Sequence, residues 1–191
     1  MNLIVSIDQN WGIGKENHLL FHVDPDLRFF QKQTRGGIVI MGRMTMESLP
    51  AGSPLAGRMN IVLSRTPERI VGYPISGKET PEEGRFFVCK SLTELRQAIA
   101  ALPQMDRESQ VWVIGGSEIY RQLAPFCRYA YVTKFLALDT GADCRVQDFD
   151  KEDGWALVES SMVMEWNGLA FTFCRYRNHF VRDFVIHSPN T

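Results

Sequence analysis

Short runs of β-branched and apolar residues recur along the chain, each bounded by glycine, charge or a polar cluster. NLIVSI (2–7), GIVIMG (37–42), NIVLS (60–64), RFFVC (85–89), QVWVIGG (110–116) and YAYVTKFLA (129–137) have strand length rather than helix length. Strands this apolar must be covered on both sides, and helical patterns lie between them. DPDLRFFQKQT (24–34) reads as a helix with Asp24 as N-cap and Pro25 first inside it. RMTMESL (43–49) and SEIYRQL (117–123) read as short helices following glycine. In SLTELRQAIAAL (91–102), Leu92, Leu95, Ile99 and Leu102 recur at helical spacing, and Ser91 with Glu94 forms a capping box. Residues 8–18 read as a polar loop, and 50–58 and 74–84 as surface loops. WALVESSMVMEWNGLAFTFCRYR (155–177) reads as a hairpin of two long strands turning at Asn167-Gly168. Strand–helix–strand repeats closed by a hairpin predict an α/β fold whose central sheet is mainly parallel with an antiparallel edge.

The 191 residues suit one domain, expected over 1–177, with a tail at 178–191. In that tail Phe180, Phe184 and Ile186 either pack on the body or mark a contact surface. A net charge of −1 gives no footprint for nucleic acid or an anionic membrane. The opening apolar run is too short for a signal peptide or a membrane span. Cys89, Cys127, Cys144 and Cys174 are widely spaced with no CxxC, so reduced thiols in a cytoplasmic protein are expected, with no metal site.

Chemistry is suggested where strands end. Gly115-Gly116 closes one strand and Ser117 is placed to cap the following helix, a junction that suits phosphate or a plain tight turn equally. Arg43 follows Gly42 at a second such junction, and a guanidinium fork suits phosphate. Ser64-Arg65 and Lys90 end two more strands, as further phosphate contacts or ordinary polar ends. No GxGxxG is present. Asp26 lies in a first helical turn, where an acid is favoured by the helix dipole. It also shares a face with Phe30, beside Leu27, so it is poorly hydrated and easier to protonate.

In order, IGKEN (13–17), DLRFF (26–30), VIMGRMTMESL (39–49), PLAGRMNIVLS (54–64), VIGGSEIY (113–120) and YVTK (131–134) resemble the dihydrofolate reductase family over residues 2 to about 177. The resemblance implies a mostly parallel sheet of about eight strands with an antiparallel C-terminal strand and helices on both faces. It implies NADPH-dependent reduction of 7,8-dihydrofolate, by hydride transfer to pterin C6 with a water-borne proton to N5. Asp26, hydrogen-bonded by Thr133, would hold the pterin, with Val5, Leu27, Phe30 and Leu49 as walls. Leu55 would flank the benzoyl group and Arg58 would pair with the glutamate α-carboxylate. Arg43 and Thr45 would hold cofactor phosphates, with Ser64, Arg65 and Lys90 toward the 2′-phosphate. Ser6, Ile13 and Ile114 would frame the nicotinamide, approached by a cis Gly115-Gly116 bond. Gly14, Gly42, Met44 and Ser48 are further cofactor positions, as are Leu63, Ser117, Glu118, Ile119 and Tyr120. Residues 9–23 would be a mobile loop, which Asp143 could bond. A monomer is expected.

The chain departs from the bacterial pattern at Leu20 and Phe21, where proline and tryptophan are usual, and at Met44, where a polar residue is common. Phe21 would be a wall of the reacting pocket without an N–H to hold water. Two rival readings are a pyrimidine reductase of the riboflavin pathway on the same fold and a silent nucleotide-binding protein.

Overall fold

The computed structural model describes residues 1–78, 80–102 and 110–184. The strands are β1 (Asn2–Ile7), β2 (Gly12–Lys15), β3 (His18–Leu19), β4 (Ile38–Gly42), β5 (Met59–Leu63) and β6 (Phe86–Cys89). They continue as β7 (Val111–Gly115), β8 (Tyr129–Phe135), β9 (Cys144–Arg145), β10 (Trp155–Ser160), β11 (Met164–Trp166) and β12 (Leu169–Asn178). The helices are α1 (Asp24–Thr34), α2 (Arg43–Glu47), α3 (Leu92–Ala101) and α4 (Ser117–Leu123).

The main sheet runs β10-β12-β8-β1-β7-β4-β5-β6. From β8 to β6 every neighbouring pair is parallel. β12 is antiparallel to β8, and β10 and β11 pair with the other edge of β12. The expected mostly parallel sheet with an antiparallel C-terminal strand is what forms.

Both faces are covered because side chains alternate along each strand. Leu3, Val5 and Ile7 of β1 pack with Leu95 and Ile99 of α3 and Ile119 and Leu123 of α4. On the opposite face, Ile4, Val39, Met41 and Trp112 meet Met46 of α2 and Phe29 and Phe30 of α1.

Local readings needed correction in several places. Val23, not Asp24, is the N-cap of α1, and no side chain bonds the free amides there. Asp24 and Asp26 instead act on the first turn through their charge. At α3, Ser91 accepts the Glu94 amide, but Glu94 reaches back to the amide of Lys90, so the capping box is offset by one residue. Residues 8–18 are not merely loop. β2 pairs with β3 and β9, and the turn between β2 and β3 places Glu16 at φ 49° and Asn17 at φ 64°. Burial of Asp8 favours that order, since its carboxylate accepts the amides of Asn10, Gly12 and Asp139. The expected long hairpin is split: Ser161 takes the Phe173 amide on its hydroxyl, which separates β10 from β11. Asn167 and Gly168 do form the turn, both at positive φ. In the 50–58 segment Arg58 is buried rather than surface-exposed.

Of the two alternatives for the tail, packing on the body is met at Phe184. Phe180 is exposed, whereas Phe184 is buried against the Phe126 ring at 5.1 Å and under the Arg96 guanidinium at 5.2 Å. Ile186 lies outside the described residues. All four cysteines are free, and Cys89, Cys127 and Cys174 are buried. No helix among the described residues is long and apolar enough to cross a membrane. Phe184→Ala is expected to destabilise the fold by about 3 kcal/mol, at the lower end for truncating a buried phenylalanine. Urea unfolding of both forms measures it, and an unchanged midpoint would mean that the tail contributes nothing.

Candidate active site

The site begins with α1 lying across the β1–β8 pair. Ser6 and Thr133 are register partners on those parallel strands, so their hydroxyls reach the same point on one face. Asp26, in the first turn of α1, descends onto that point and is 8% exposed. The Thr133 hydroxyl donates to Asp26 Oδ1 at 2.6 Å. Burial pushes the Asp26 carboxyl above its ordinary range, while the hydroxyls of Thr133 and Ser6 pull it back. Asp26 thus keeps acceptor capacity in an apolar setting, with a proton closer at hand than on an exposed carboxylate.

A cleft of about 510 Å³ opens above this carboxylate. Val5, Leu27, Phe30, Leu49, Leu55 and Ile114 supply its apolar wall. Ser6, Thr45, Ser48, Arg58 and Tyr120 supply polar groups, and the Tyr120 hydroxyl is already committed to the Ile4 carbonyl at 2.8 Å. Thr133 lies beneath, reaching the cleft through Asp26.

Arg58 is held by a buried asparagine that the sequence reading did not single out. Asn60 accepts the Leu55 amide and donates to the carbonyls of Leu55 and Arg58, which folds 55–58 back over β5. Arg58 then donates to Thr34 Oγ1 at 3.1 Å and to the Ala56 carbonyl at 3.0 Å, with its guanidinium 5.8 Å from the Phe30 ring centre. Burial lowers its pKa, and among the described residues no carboxylate pairs with it. The geometry is that of a cation ready to take an anionic group from the cleft. The run read as a strand at 60–64 opens on Asn60, and that polar residue at the head of an apolar run was the available signal.

The predicted phosphate-binding positions come together elsewhere, along the sheet rim. Met41 pairs with Gly115, Gly42 with Leu63, and Leu63 with Cys89, so four strand ends lie side by side. At ordinary strand spacing they span roughly 14 Å. Arg43, Ser64, Arg65, Lys90 and Gly115–Ser117 follow these ends. Gly115-Gly116 is a cis peptide. A Cβ on Gly115, which sits at φ +106°, would stand 2.9 Å from the Tyr120 ring. A Cβ on Gly116 would meet only Thr45 Oγ1, at an ordinary contact distance of 3.5 Å.

Other expected contacts are placed differently. Ser117 does not cap α4, whose N-cap is Gly116; its hydroxyl bonds the Arg145 carbonyl and touches Cys144 Sγ at 2.8 Å. Arg43 is paired with Glu47 at 2.6 Å. The side chains of Ile13, Leu63 and Ile119 are buried in the core beneath the rim, and Met44 is exposed. Glu118 is engaged by Arg121 and Gln122. Gly14 pairs with Leu19 and Cys144 in the small sheet, and the Glu16 amide bonds Asp143 at 2.8 Å. The Phe21 ring packs on Phe135 at 4.7 Å, and its neighbour His22 lines the cleft. The cleft is not restricted to one acid: Asp24 lines its mouth with Arg28 and Gln31, which follow it at helical spacing on α1. That periodicity was readable in the sequence.

A family model described as dihydrofolate reductase matches residues 1–178. The chain is 31% identical to a putative dihydrofolate reductase of Caenorhabditis elegans, covering 93% of this chain and 96% of that protein. It is 32% identical to the dihydrofolate reductase of Bacillus subtilis, covering 84% and 82% respectively. Identity to the dihydrofolate reductase of Mycobacterium leprae is 33%, over 87% of this chain and 88% of that one.

Because Asp26 has a higher pKa folded than unfolded, its charge penalises folding once pH rises through the raised value. Below the unfolded carboxylate pKa of roughly 4 that penalty is absent. Asp26→Asn is therefore expected to melt above the wild type at pH 7 without ligand, with the gap closing toward acid pH. Melting curves across that range check it, and a variant less stable at neutral pH would contradict the burial argument.

Proposed function

The chain belongs to the dihydrofolate reductase family of oxidoreductases, and on that premise we propose that its cleft reduces 7,8-dihydrofolate to 5,6,7,8-tetrahydrofolate with NADPH. The observation that carries this reading is a buried carboxylate, braced by Thr133, at the floor of an apolar cleft. A flat pterin presents an amide N–H and a 2-amino group side by side, and a carboxylate accepts both as it would an arginine fork. Val5, Leu27, Phe30 and Leu49 exclude water from the ring faces and leave one orientation satisfied. Leu55 flanks the benzoyl group, and Arg58 takes the α-carboxylate of the glutamate.

The bound nicotinamide cofactor supplies a hydride for pterin C6. The chain's own residues supply position and a proton balance. Asp26, as the carboxylate that grips the ring, stabilises positive charge as N5 becomes protonated. No side-chain acid is assigned to N5 itself, so the proton comes through water. Thr133 and Ser6 prevent the Asp26 pKa from rising so far that the carboxylate loses its grip.

On the rim, Arg43, exchanging its pair with Glu47, and Thr45 would hold the cofactor phosphates, while Ser64, Arg65 and Lys90 would read the 2′-phosphate that distinguishes NADPH from NADH. Ser6, Ile114 and Tyr120 stand where rim and cleft meet and frame the nicotinamide. Phe21 acts through the packing of Phe135 rather than on the substrate. We read the protein as a cytoplasmic monomer, consistent with its free cysteines and near-zero charge. A riboflavin-pathway reductase would share the rim, but Asp26 and Arg58 in one cleft have no counterpart in its substrate.

Asp26→Asn is expected to lower kcat/KM for dihydrofolate at least about 100-fold, with NADPH affinity unchanged. Following nicotinamide absorbance for turnover and titrating NADPH alone measures both; loss of cofactor binding would refute the role given to Asp26. Arg65→Ala should weaken NADPH binding about tenfold, the worth of one charge-assisted bond, and leave NADH binding as it was. Equal losses for the two cofactors would remove Arg65 from 2′-phosphate recognition.

A further inference from the structure

The turn that carries Arg58 is tied to a loop that the proposed chemistry does not use. Ahead of β6 the chain runs beside that strand: the Ser76 amide donates to the Phe86 carbonyl and the Phe86 amide to the Pro74 carbonyl, each at 2.8 Å. Glu82 then gathers the loop, accepting from Ser76 Oγ at 3.2 Å and pairing with Arg85 at 3.5 Å and with Lys78. The next residue, Glu83, is bonded elsewhere. Its Oε1 accepts the Gly57 amide at 2.9 Å. That amide shares one peptide plane with the Ala56 carbonyl, which accepts Arg58 Nε at 3.0 Å. Glu83 and Arg58 therefore hold opposite edges of a single rigid group. Gly57, at φ 69°, brings no side chain to fix the turn, and its carbonyl is tied in turn to the Gly36 amide at 2.8 Å.

We infer that Glu83 is a positioning residue for Arg58, and through it a determinant of affinity for the α-carboxylate of the substrate's tail. This deepens the dihydrofolate reading and rests on it. A carboxylate on the N–H edge polarises the peptide, which makes the Ala56 carbonyl a better acceptor and stops the plane from turning. Arg58 Nε is then held in one direction, Thr34 takes an Nη1 proton, and the other guanidinium N–H groups are left for a ligand. A fork fixed in advance loses less side-chain freedom when it binds. Neither Glu83 nor Gly57 is among the residues lining the cleft, so the effect passes through Arg58 and touches binding rather than the chemical step.

The test compares dihydrofolate with 6-methyl-7,8-dihydropterin, which keeps the reacting ring and lacks the tail. Glu83→Ala should raise KM for dihydrofolate about threefold, the worth of one exposed hydrogen bond, with kcat unchanged and KM for the tail-less pterin unchanged. Glu83→Gln keeps an oxygen acceptor and should restore the wild-type KM. Arg58→Lys has no Nε–H for the Ala56 carbonyl, so adding Glu83→Ala to it should change KM no further. A KM that rises equally for both substrates, or a fall in kcat, makes Glu83 a general structural support and overturns the inference. So does a threefold effect that persists in the Arg58→Lys background, or a Glu83→Gln variant that behaves as Glu83→Ala. If the wild type reduces dihydrofolate and Glu83→Ala leaves its KM unmoved, the role of Glu83 alone fails. If the wild type does not reduce dihydrofolate, the reading beneath it fails as well.

Discussion

The hydrogen bond from Thr133 to Asp26 joins the first turn of α1 to the strand beside β1, and the cleft depends on it. A carboxylate so deeply buried would be costly if left without partners. Thr133 and Ser6 reduce that cost without cancelling it, which is why burial still dominates the Asp26 pKa. The residual unfavourable energy is held as unused acceptor capacity on a carboxylate at the floor of the cleft. A site preorganised in this way gives up some stability for function.

The sheet places the second half of the site. Parallel strands put all their C-terminal ends at one edge, and the β7-β4-β5-β6 order brings four of them together. Gly42 and Gly115 let α4 pack closely, since a Cβ on either would press on Ile119 or Tyr120. Gly116 faces Thr45 Oγ1, which an added Cβ would meet at an ordinary 3.5 Å. Tyr120 ties the two halves together, because its ring supports Gly115 and its hydroxyl bonds β1 at Ile4.

Departures from the sequence reading have a common physical origin. Local patterns marked Asp24 and Ser117 as helix caps, yet neither side chain caps a helix. Ser117 is drawn to the Arg145 carbonyl, a partner distant in sequence. The 8–18 segment looked like loop because its strands are short, glycine-bearing and polar, and one of them, β2, takes a partner, β9, from as far away as residues 144–145. Phe21 invited assignment as a pocket wall by position, but it packs against the cluster of Val23, Phe135 and Phe171 and is not among the residues lining the cleft. For Ser117, β2 and Phe21 a contact between distant segments outweighed a local preference.

By itself the sequence determined the elements and the direction of the sheet, because apolar runs of strand length force burial on both faces and glycines mark where strands end. It also determined which residues carry charge into apolar company: Asp26 beside Phe30, and Arg43 after a buried strand. The tertiary structure alone decided which of those charges meet. Asp26 finds Thr133 across 107 residues of chain, and Asn60 draws Arg58 inward to stand over Phe30. Such meetings depend on strand order and register, which are set by the packing of whole faces rather than by any local run of residues.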